Sequence, residues 1–190
     1  MRWQMGKVEP SVFKPLLTKL AFLLYGKSVY KDFADRLPLM GNEYVLDFGC
    51  GMGTVAYYAA KRLPHGQLVC ADISQRWLSA CRKTLRRKGN VVFLHSNPGF
   101  PALGKKSFDV AYFHYVLHDI PEKELARVIS ALADCLKSGG ILAFREPLKE
   151  AQKLSIIKRL AEQNGLSRKD SRITDVPHMG NALESIYIKL

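Results

Sequence analysis

The sequence lacks several patterns that would place it in a special class of protein. No apolar run is long enough to cross a bilayer: the patch at 20–25 is bracketed by Lys19 and Lys27, and no signal-peptide cleavage site follows it. The four cysteines include no C-x-x-C pair and no histidine at zinc-like spacing. No metal site is therefore predicted, and reduced core thiols in a cytoplasmic protein are expected.

Acidic residues are also scarce. The chain has 17 Asp and Glu residues against 29 Lys and Arg residues, a formal net charge of +12. This excess favours an anionic partner, whether nucleic acid, a membrane surface or an acidic metabolite, without choosing among them. Otherwise the composition, 47% hydrophobic and 24% charged over 190 residues, is typical of one globular domain with a sizeable core.

The most informative stretch is an apolar run at 44–48 that contains Asp47 and leads into three alternating glycines, Gly49, Gly51 and Gly53. The run predicts a buried strand, and the apolar residues from 55 onward predict the helix after it. A turn without side chains at these glycines lets a ligand approach the backbone closely.

At these residues the chain resembles the class I S-adenosylmethionine-dependent methyltransferases, and the resemblance covers most of the chain from about residue 31. It implies that the glycine turn cradles the methionine part of S-adenosylmethionine and that Asp47 helps to orient the cofactor. The alternative is a dinucleotide fingerprint, because 51–56 also satisfies G-x-G-x-x-A. Asp47 disfavours this alternative, since a carboxylate there would repel a pyrophosphate.

A second acid ends the next predicted strand, at 67–72. Asp72 follows the glycines by about 20 residues, where a ribose-binding carboxylate lies in nucleotide-binding doubly wound folds. The resemblance implies this role for Asp72 and adds the next residue, Ile73, to the cofactor contacts. The alternative is that Asp72 or Ser74 caps the following helix.

Two further stretches complete the predicted cofactor site. After the third strand, at 91–95, the resemblance implies that Asn97 bonds the adenine amino group and that Pro98 lies beside it. The fourth strand leads through Phe113 and His114 into Val-Leu-His at 116–118, which is similar to small-molecule methyltransferases of the ubiquinone and menaquinone type. Base-modifying relatives carry Asn-Pro-Pro-Tyr where this chain has Phe-His-Tyr, so methylation of nucleic acid bases is disfavoured.

Methyl transfer from a sulfonium requires in-line attack and depends largely on positioning. An acceptor hydroxyl or acidic carbon would also need a general base, and His118 is the first candidate, with His114, Glu146 and His178 as others. For each of these residues a packing, capping or surface role is the alternative.

The N-terminal part has two predicted helices, at 12–25 and 28–37. We expect residues 1–37 to form a helical segment that covers the cofactor cleft, with Tyr30 a candidate contact, and 38–190 to form the S-adenosylmethionine-binding domain. The first helix carries apolar residues on one stripe and lysines beside it, so it either packs on the domain or rests on a membrane surface.

Strands alternate with helices along the chain, and two strands, at 171–176 and 182–190, end it. This order predicts an α/β fold: a doubly wound, mostly parallel, seven-stranded sheet with an antiparallel C-terminal hairpin. The predicted function is methyl transfer from S-adenosylmethionine to a small-molecule or lipid-like acceptor. The alternatives are a nicotinamide-dependent oxidoreductase and a non-catalytic cofactor-binding or RNA-associated module.

Overall fold

A computed structural model describes residues 9–11, 13–95, 103–177 and 179–190. Within these residues seven strands form one sheet, in the order β3-β2-β1-β4-β5-β7-β6. The strands are β1 Tyr44–Phe48, β2 Gln67–Asp72, β3 Val91–His95, β4 Phe108–His114, β5 Leu136–Pro147, β6 Leu166–Val176 and β7 Gly180–Lys189. The first five are parallel, and β7 runs antiparallel to both β5 and β6. The predicted fold class is confirmed.

Helices cover both faces of this sheet. The five that do so are α2 Asp32–Arg36, α3 Thr54–Ala59, α4 Gln75–Thr84, α5 Glu122–Cys135 and α6 Ala151–Gln163, and a further helix, α1 Lys14–Tyr25, precedes them. Because successive residues of a strand point to opposite faces, Val45 and Tyr112 pack towards α2, α3 and α4, whereas Leu46 and Phe113 pack towards α5 and α6. The carboxyl ends of the parallel strands therefore meet at one edge, between the two helical layers.

Several element boundaries differ from those predicted. The helix predicted at 28–37 is a π-helical turn, Gly26–Lys31, followed by the short α2. The strand predicted at 171–176 begins earlier, at Leu166, because it pairs with nearly the full length of β7. Residues 137–140 belong to β5, whose pairing with β4 is irregular there.

A buried arginine ties the N-terminal segment to the sheet. The Arg145 side chain on β5 is 1% exposed, and its guanidinium donates to the Val29 carbonyl oxygen and the Asp32 carboxylate, each at 2.6 Å. It also donates through Nε to the buried carboxylate of Glu184 on β7, at 2.6 Å. Removing a guanidinium from water is costly, and these charge-assisted bonds offset that cost. The turn before α2 is thereby fixed over the carboxyl edge of β4 and β5.

Candidate functional site

The glycine turn follows β1 and has the geometry that its sequence predicts. Gly49, Gly51 and Gly53 have φ angles of 71°, 53° and 78°, the left-handed region that residues with a Cβ rarely occupy. The backbone amides of Gly49 and Cys50 both donate to the Ala71 carbonyl oxygen on β2, at 2.8 and 3.0 Å. These bonds hold the turn against the end of the neighbouring strand.

The three glycines differ in what surrounds them. A Cβ on Gly49 would lie 2.7 Å from the Val116 side chain, and one on Gly53 would lie 2.7 Å from the Cys81 sulfur. A Cβ on Gly51 would meet nothing within 4 Å. Gly49 and Gly53 therefore allow close packing of the protein on itself, whereas Gly51 faces open space.

Asp72 is joined directly to this turn. One of its carboxylate oxygens accepts from the Gly51 amide and the other from the Ser74 amide, both at 2.9 Å. Burial raises the pKa of Asp72 above its ordinary value, and the two amide bonds lower it in part. Ser74 caps α4, because its hydroxyl oxygen accepts from the Trp77 amide at 3.1 Å. Because the Ser74 side chain caps α4, the Asp72 side chain is not needed as the cap, and it bonds the glycine turn.

Asp47 is buried near the end of β1, two residues before the turn. Its carboxyl is 3% exposed and faces the α3 and α4 side of the sheet. Burial raises its pKa well above the ordinary value, the charges of Cys81 and Asp72 add to this rise, and Tyr112 opposes it. The next predicted contact, Ile73, is half-buried, and its carbonyl oxygen accepts from Nε2 of His95 at 3.0 Å.

Three thiols meet behind the turn, a cluster that sequence spacing did not reveal. The sulfur atoms of Cys50, Cys70 and Cys81 lie within 4.8 Å of one another, and all three residues are buried. Hydrogen bonds from Cys50 and Cys70 lower the pKa of Cys81 to about 5. The three residues are far apart in the sequence, on the turn, β2 and α4, so only the fold brings them together.

The two residues predicted at the end of β4 point to opposite faces of the sheet. Phe113 is fully buried on the α5 and α6 face, where its ring stacks on that of Phe144 with centroids 5.0 Å apart, and its contact with the cofactor stays a prediction. His114 points to the opposite face, where its ring lies 5.6 Å from that of Tyr30 and 5.2 Å from that of Phe33. Burial, and then the charge of Arg145, hold its pKa well below the ordinary value.

His118 lies just beyond, in a single 3-10 turn formed by 117–119. Its Nδ1 donates to the carboxylate of Glu146 at 2.7 Å, and its Nε2 is 3.5 Å from a carboxylate oxygen of Asp119. Glu146 is buried and also accepts from the amides of Val116 and Leu117, each at 2.7 Å. Burial lowers the pKa of His118, but the hydrogen bond and charge of Glu146 outweigh that effect and raise it.

Tyr115 was not predicted as a site residue. It has a φ of 58°, which is unusual for a residue with a side chain, and burial raises its pKa to about 12. Its hydroxyl and Nε2 of His114 are buried polar atoms with no hydrogen-bond partner among the described residues. Such atoms are costly unless a ligand or water satisfies them.

Three predicted residues, Asn97, Pro98 and His178, lie outside the described residues. The remaining residues of interest meet at the carboxyl edge of β1, β2, β4 and β5. Asp72 and the glycine turn form one part of this edge, and the His118–Glu146 pair forms the other. Val116, two residues before His118, contacts the turn at Gly49 and joins the two parts.

Comparison with known proteins gives a consistent result. A family described as methyltransferase domain matches residues 45–140. A tRNA N(3)-methylcytidine methyltransferase of Schizosaccharomyces pombe is 30% identical over 122 residues, which are 62% of this chain and 48% of that protein. A ubiquinone/menaquinone biosynthesis C-methyltransferase of Wigglesworthia glossinidia brevipalpis is 29% identical over 116 residues, 57% of this chain and 46% of that protein. The chain thus spans about half the length of these curated relatives.

Solved structures give the same fold. An S-adenosylmethionine-dependent methyltransferase from Aquifex aeolicus has a TM-score of 0.76 at 16% identity, covering 94% of this chain and all of that one (100%). The chain belongs to the methyltransferase domain family, and its fold is that of the class I S-adenosylmethionine-dependent methyltransferases. The predicted family is therefore confirmed, and the family match supports S-adenosylmethionine as the cofactor.

Proposed function

We propose that the protein transfers a methyl group from S-adenosylmethionine to a small-molecule or lipid-like acceptor. The observation that carries this proposal is the open space at Gly51 directly beside Asp72, with the His118–Glu146 pair at the same edge of the sheet. A space suited to a nucleotide-like ligand thus lies at the same edge as a candidate acid–base pair.

The residues present fit the cofactor. Gly49, Gly51 and Gly53 offer backbone without side chains, and Asp72 and Ile73, at the carboxyl end of the neighbouring strand β2, are the proposed contacts to the ribose and adenine. Asp72 can still accept from ribose hydroxyls, because each carboxylate oxygen has room for a second donor. Asn97, Pro98 and His114 complete the proposed set. The cofactor, when bound, supplies an electrophilic methyl group on a sulfonium.

The His118–Glu146 pair is suited to take a proton from the acceptor. Glu146 accepts from Nδ1–H, which leaves the Nε2 lone pair of the neutral imidazole free to act as a base. The proton would then rest on Nε2, and the Glu146 carboxylate would stabilise the resulting imidazolium. His118 is thereby the proposed general base, and Glu146 positions it.

The aromatic rings around His114, one of which, Tyr115, also contacts His118, favour an apolar or aromatic acceptor. Tyr30, Phe33 and Tyr115 surround His114 at ring distances between 4.8 and 5.6 Å. At the same edge, an open cavity of about 400 Å³ is lined by Leu148, Lys149, Met179, Gly180 and Asn181. An RNA acceptor is the second candidate, favoured by the net charge of +12 and by the tRNA-modifying relative.

We also propose that residues 1–37 cover the cofactor cleft, as the sequence suggested. Glu9 supports this proposal, because its carboxylate accepts from the Ser74 hydroxyl at 2.7 Å and the Gln75 amide at 3.0 Å, at the start of α4. Asp72, which immediately precedes that helix, lies close enough for the charge of Glu9 to contribute to the rise of its pKa.

Calorimetric titration with S-adenosylhomocysteine, with NAD as a control ligand, tests the cofactor assignment. We expect saturable binding of the first ligand alone, and loss of binding in Asp72→Ala. Asp134→Ala is the matched control, because that exposed carboxylate is near the end of α5, at the opposite edge of the sheet. Unchanged affinity in Asp72→Ala would refute the ribose assignment, and binding of NAD would favour the oxidoreductase alternative.

A further inference from the structure

The outward face of α1 carries a continuous apolar stripe. Six side chains are between 54% and 70% exposed: Phe13, the residue just before α1, and Leu16, Leu17, Leu20, Leu23 and Leu24 within it. At about 100° per residue, these positions fall within one arc of about 120° on the helix. No residue of α1 is buried. Of the two alternatives that the sequence left open, packing of this stripe on the domain is therefore not the one observed.

The opposite side of α1 is the side attached to the protein. The Phe22 ring contacts those of Tyr30, Tyr57 and Tyr58, with centroids 5.5 to 5.9 Å apart. A surface helix normally turns its apolar stripe towards the core. Here the aromatic contacts hold the stripe outward, and an exposed apolar patch of this kind marks an interaction surface.

The charges beside the stripe identify the kind of partner. Lys14 and Lys19 border the arc on its two sides, and Lys27 follows in the next turn, whereas Lys31 is paired with Asp35. The sequence has no Asp or Glu between Glu9 and Asp32. An apolar face bordered by lysines is the pattern of a helix that lies in the interface of an anionic membrane, where lysines contact lipid phosphates.

A second copy of the chain fits this face less well. Symmetric pairing through the stripe would bring the same lysines of both copies together, and like charges at an interface oppose association. Among the described residues no helix is long and apolar enough to cross a membrane. We infer that α1 docks parallel to an anionic bilayer surface, with its leucines in the acyl boundary and its lysines at the headgroups.

Docking would also bring the candidate site to the bilayer. Phe22 contacts Tyr30, whose ring lies 5.6 Å from that of His114, so α1 is separated from the site by a single aromatic layer. A lipid-like acceptor could then reach the site from the membrane. This last step rests on the proposed methyl transfer, but the docking itself does not.

Vesicle flotation of the full chain tests the inference. Vesicles of phosphatidylcholine with about 30% phosphatidylserine are compared with pure phosphatidylcholine vesicles, in about 0.1 M salt. We expect flotation with the anionic vesicles, at least about tenfold weaker binding for Leu17→Glu/Leu20→Glu, and a comparable loss for Lys14→Gln/Lys19→Gln. All four residues are on or beside the exposed face, so the fold should persist.

The matched control is Met40→Glu/Ile173→Glu, which makes the same change of charge and polarity at side chains 90% and 61% exposed outside α1. Its vesicle binding should equal that of the unaltered chain. Absence of flotation, equal losses in both glutamate pairs, or a dimer that Leu17→Glu/Leu20→Glu dissociates without changing vesicle binding would each overturn the inference. S-adenosylhomocysteine titration of every variant separates these outcomes from failure of the proposed function.

Discussion

The pairing of Glu146 with His118 makes a quantitative prediction for Glu146→Gln. The carboxylate accepts four hydrogen bonds, one from Nδ1 of His118 at 2.7 Å and three from the amides of Val116, Leu117 and His118 at 2.7, 2.7 and 3.3 Å. A glutamine oxygen can keep two of the amide bonds. Its NH2 group would then face the donors of His118, and the charge that stabilises the imidazolium would be gone.

The magnitude follows from the bond that is lost. A hydrogen bond to a charged group contributes about 1.5–3 kcal/mol, and about 1.4 kcal/mol corresponds to one pKa unit. The pKa of His118 should therefore fall by about one to two units. Because burial already acts to lower it, the pKa in Glu146→Gln should lie below the ordinary value for histidine.

The pair also determines how the stability of the fold changes with pH. With the pKa of His118 raised by folding, the pair contributes stability that is complete below the ordinary histidine pKa and is lost as the pH rises through the folded value. In Glu146→Gln, the loss of stability with rising pH should disappear or reverse. If His118 is the base, the acid limb of activity should also move to lower pH, because the imidazole stays neutral there.

Nuclear magnetic resonance of the imidazole protons, followed from about pH 5 to 9, measures the change directly and needs no acceptor. His65 is an internal reference, since it is exposed in the turn before β2, at the opposite edge of the sheet. Glu124→Gln is the matched control, because that carboxylate pairs with Arg127 and not with His118. An unchanged His118 titration in Glu146→Gln would refute this account of the pair.

Three further predictions follow from other parts of the structure. Glu184→Gln should lower the free energy of unfolding by about 3–5 kcal/mol in urea denaturation, because it leaves the buried Arg145 charge poorly compensated; the exposed Asp170→Asn should change it far less, and equal effects would contradict the buried network. Gly51→Ala should cost about 1 kcal/mol of stability but weaken S-adenosylhomocysteine binding at least about tenfold, whereas Gly49→Ala should mainly destabilise the fold. If calorimetry found full affinity in Gly51→Ala, the proposal that the ligand binds beside Gly51 would be refuted. Reversal of Arg86 and Arg87 to Glu should leave activity on a small acceptor unchanged in a methyl-transfer assay, and its loss would favour the RNA candidate.

The parts of the site that sequence could predict depend on local backbone geometry. The left-handed φ angles at 49, 51 and 53 favour glycine whatever surrounds them, so the turn could be predicted from the sequence. Asp72 was predictable for a related reason, since the end of a parallel strand fixes where its side chain emerges. The alternation of strand residues also predicts that Phe113 and His114 face opposite sides, a consequence that the family motif obscured.

Other features depend on contacts between distant residues. The role of Glu146 arises from the pairing of β4 with β5, which brings its carboxylate to amides 28 to 30 residues earlier in the chain. The thiol cluster has the same origin. The sequence left the orientation of α1 open, because its period identifies an apolar face but not whether that face points to the core, and the aromatic contacts of Phe22 decide the direction.

Two adjacent residues of β5 hold the N-terminal segment and the proposed base. Arg145 and Glu146 point to opposite faces of the sheet because they are neighbours on a strand. Arg145 fixes the turn that carries Val29 and leads to α2, and Glu146 fixes the turn that carries His118. The position of the N-terminal segment and the orientation of the proposed base are thus set from one short piece of backbone. A displacement of β5 would disturb both together, so Glu184→Gln, which acts on the Arg145 side, should also alter the titration of His118 if this strand is the common support.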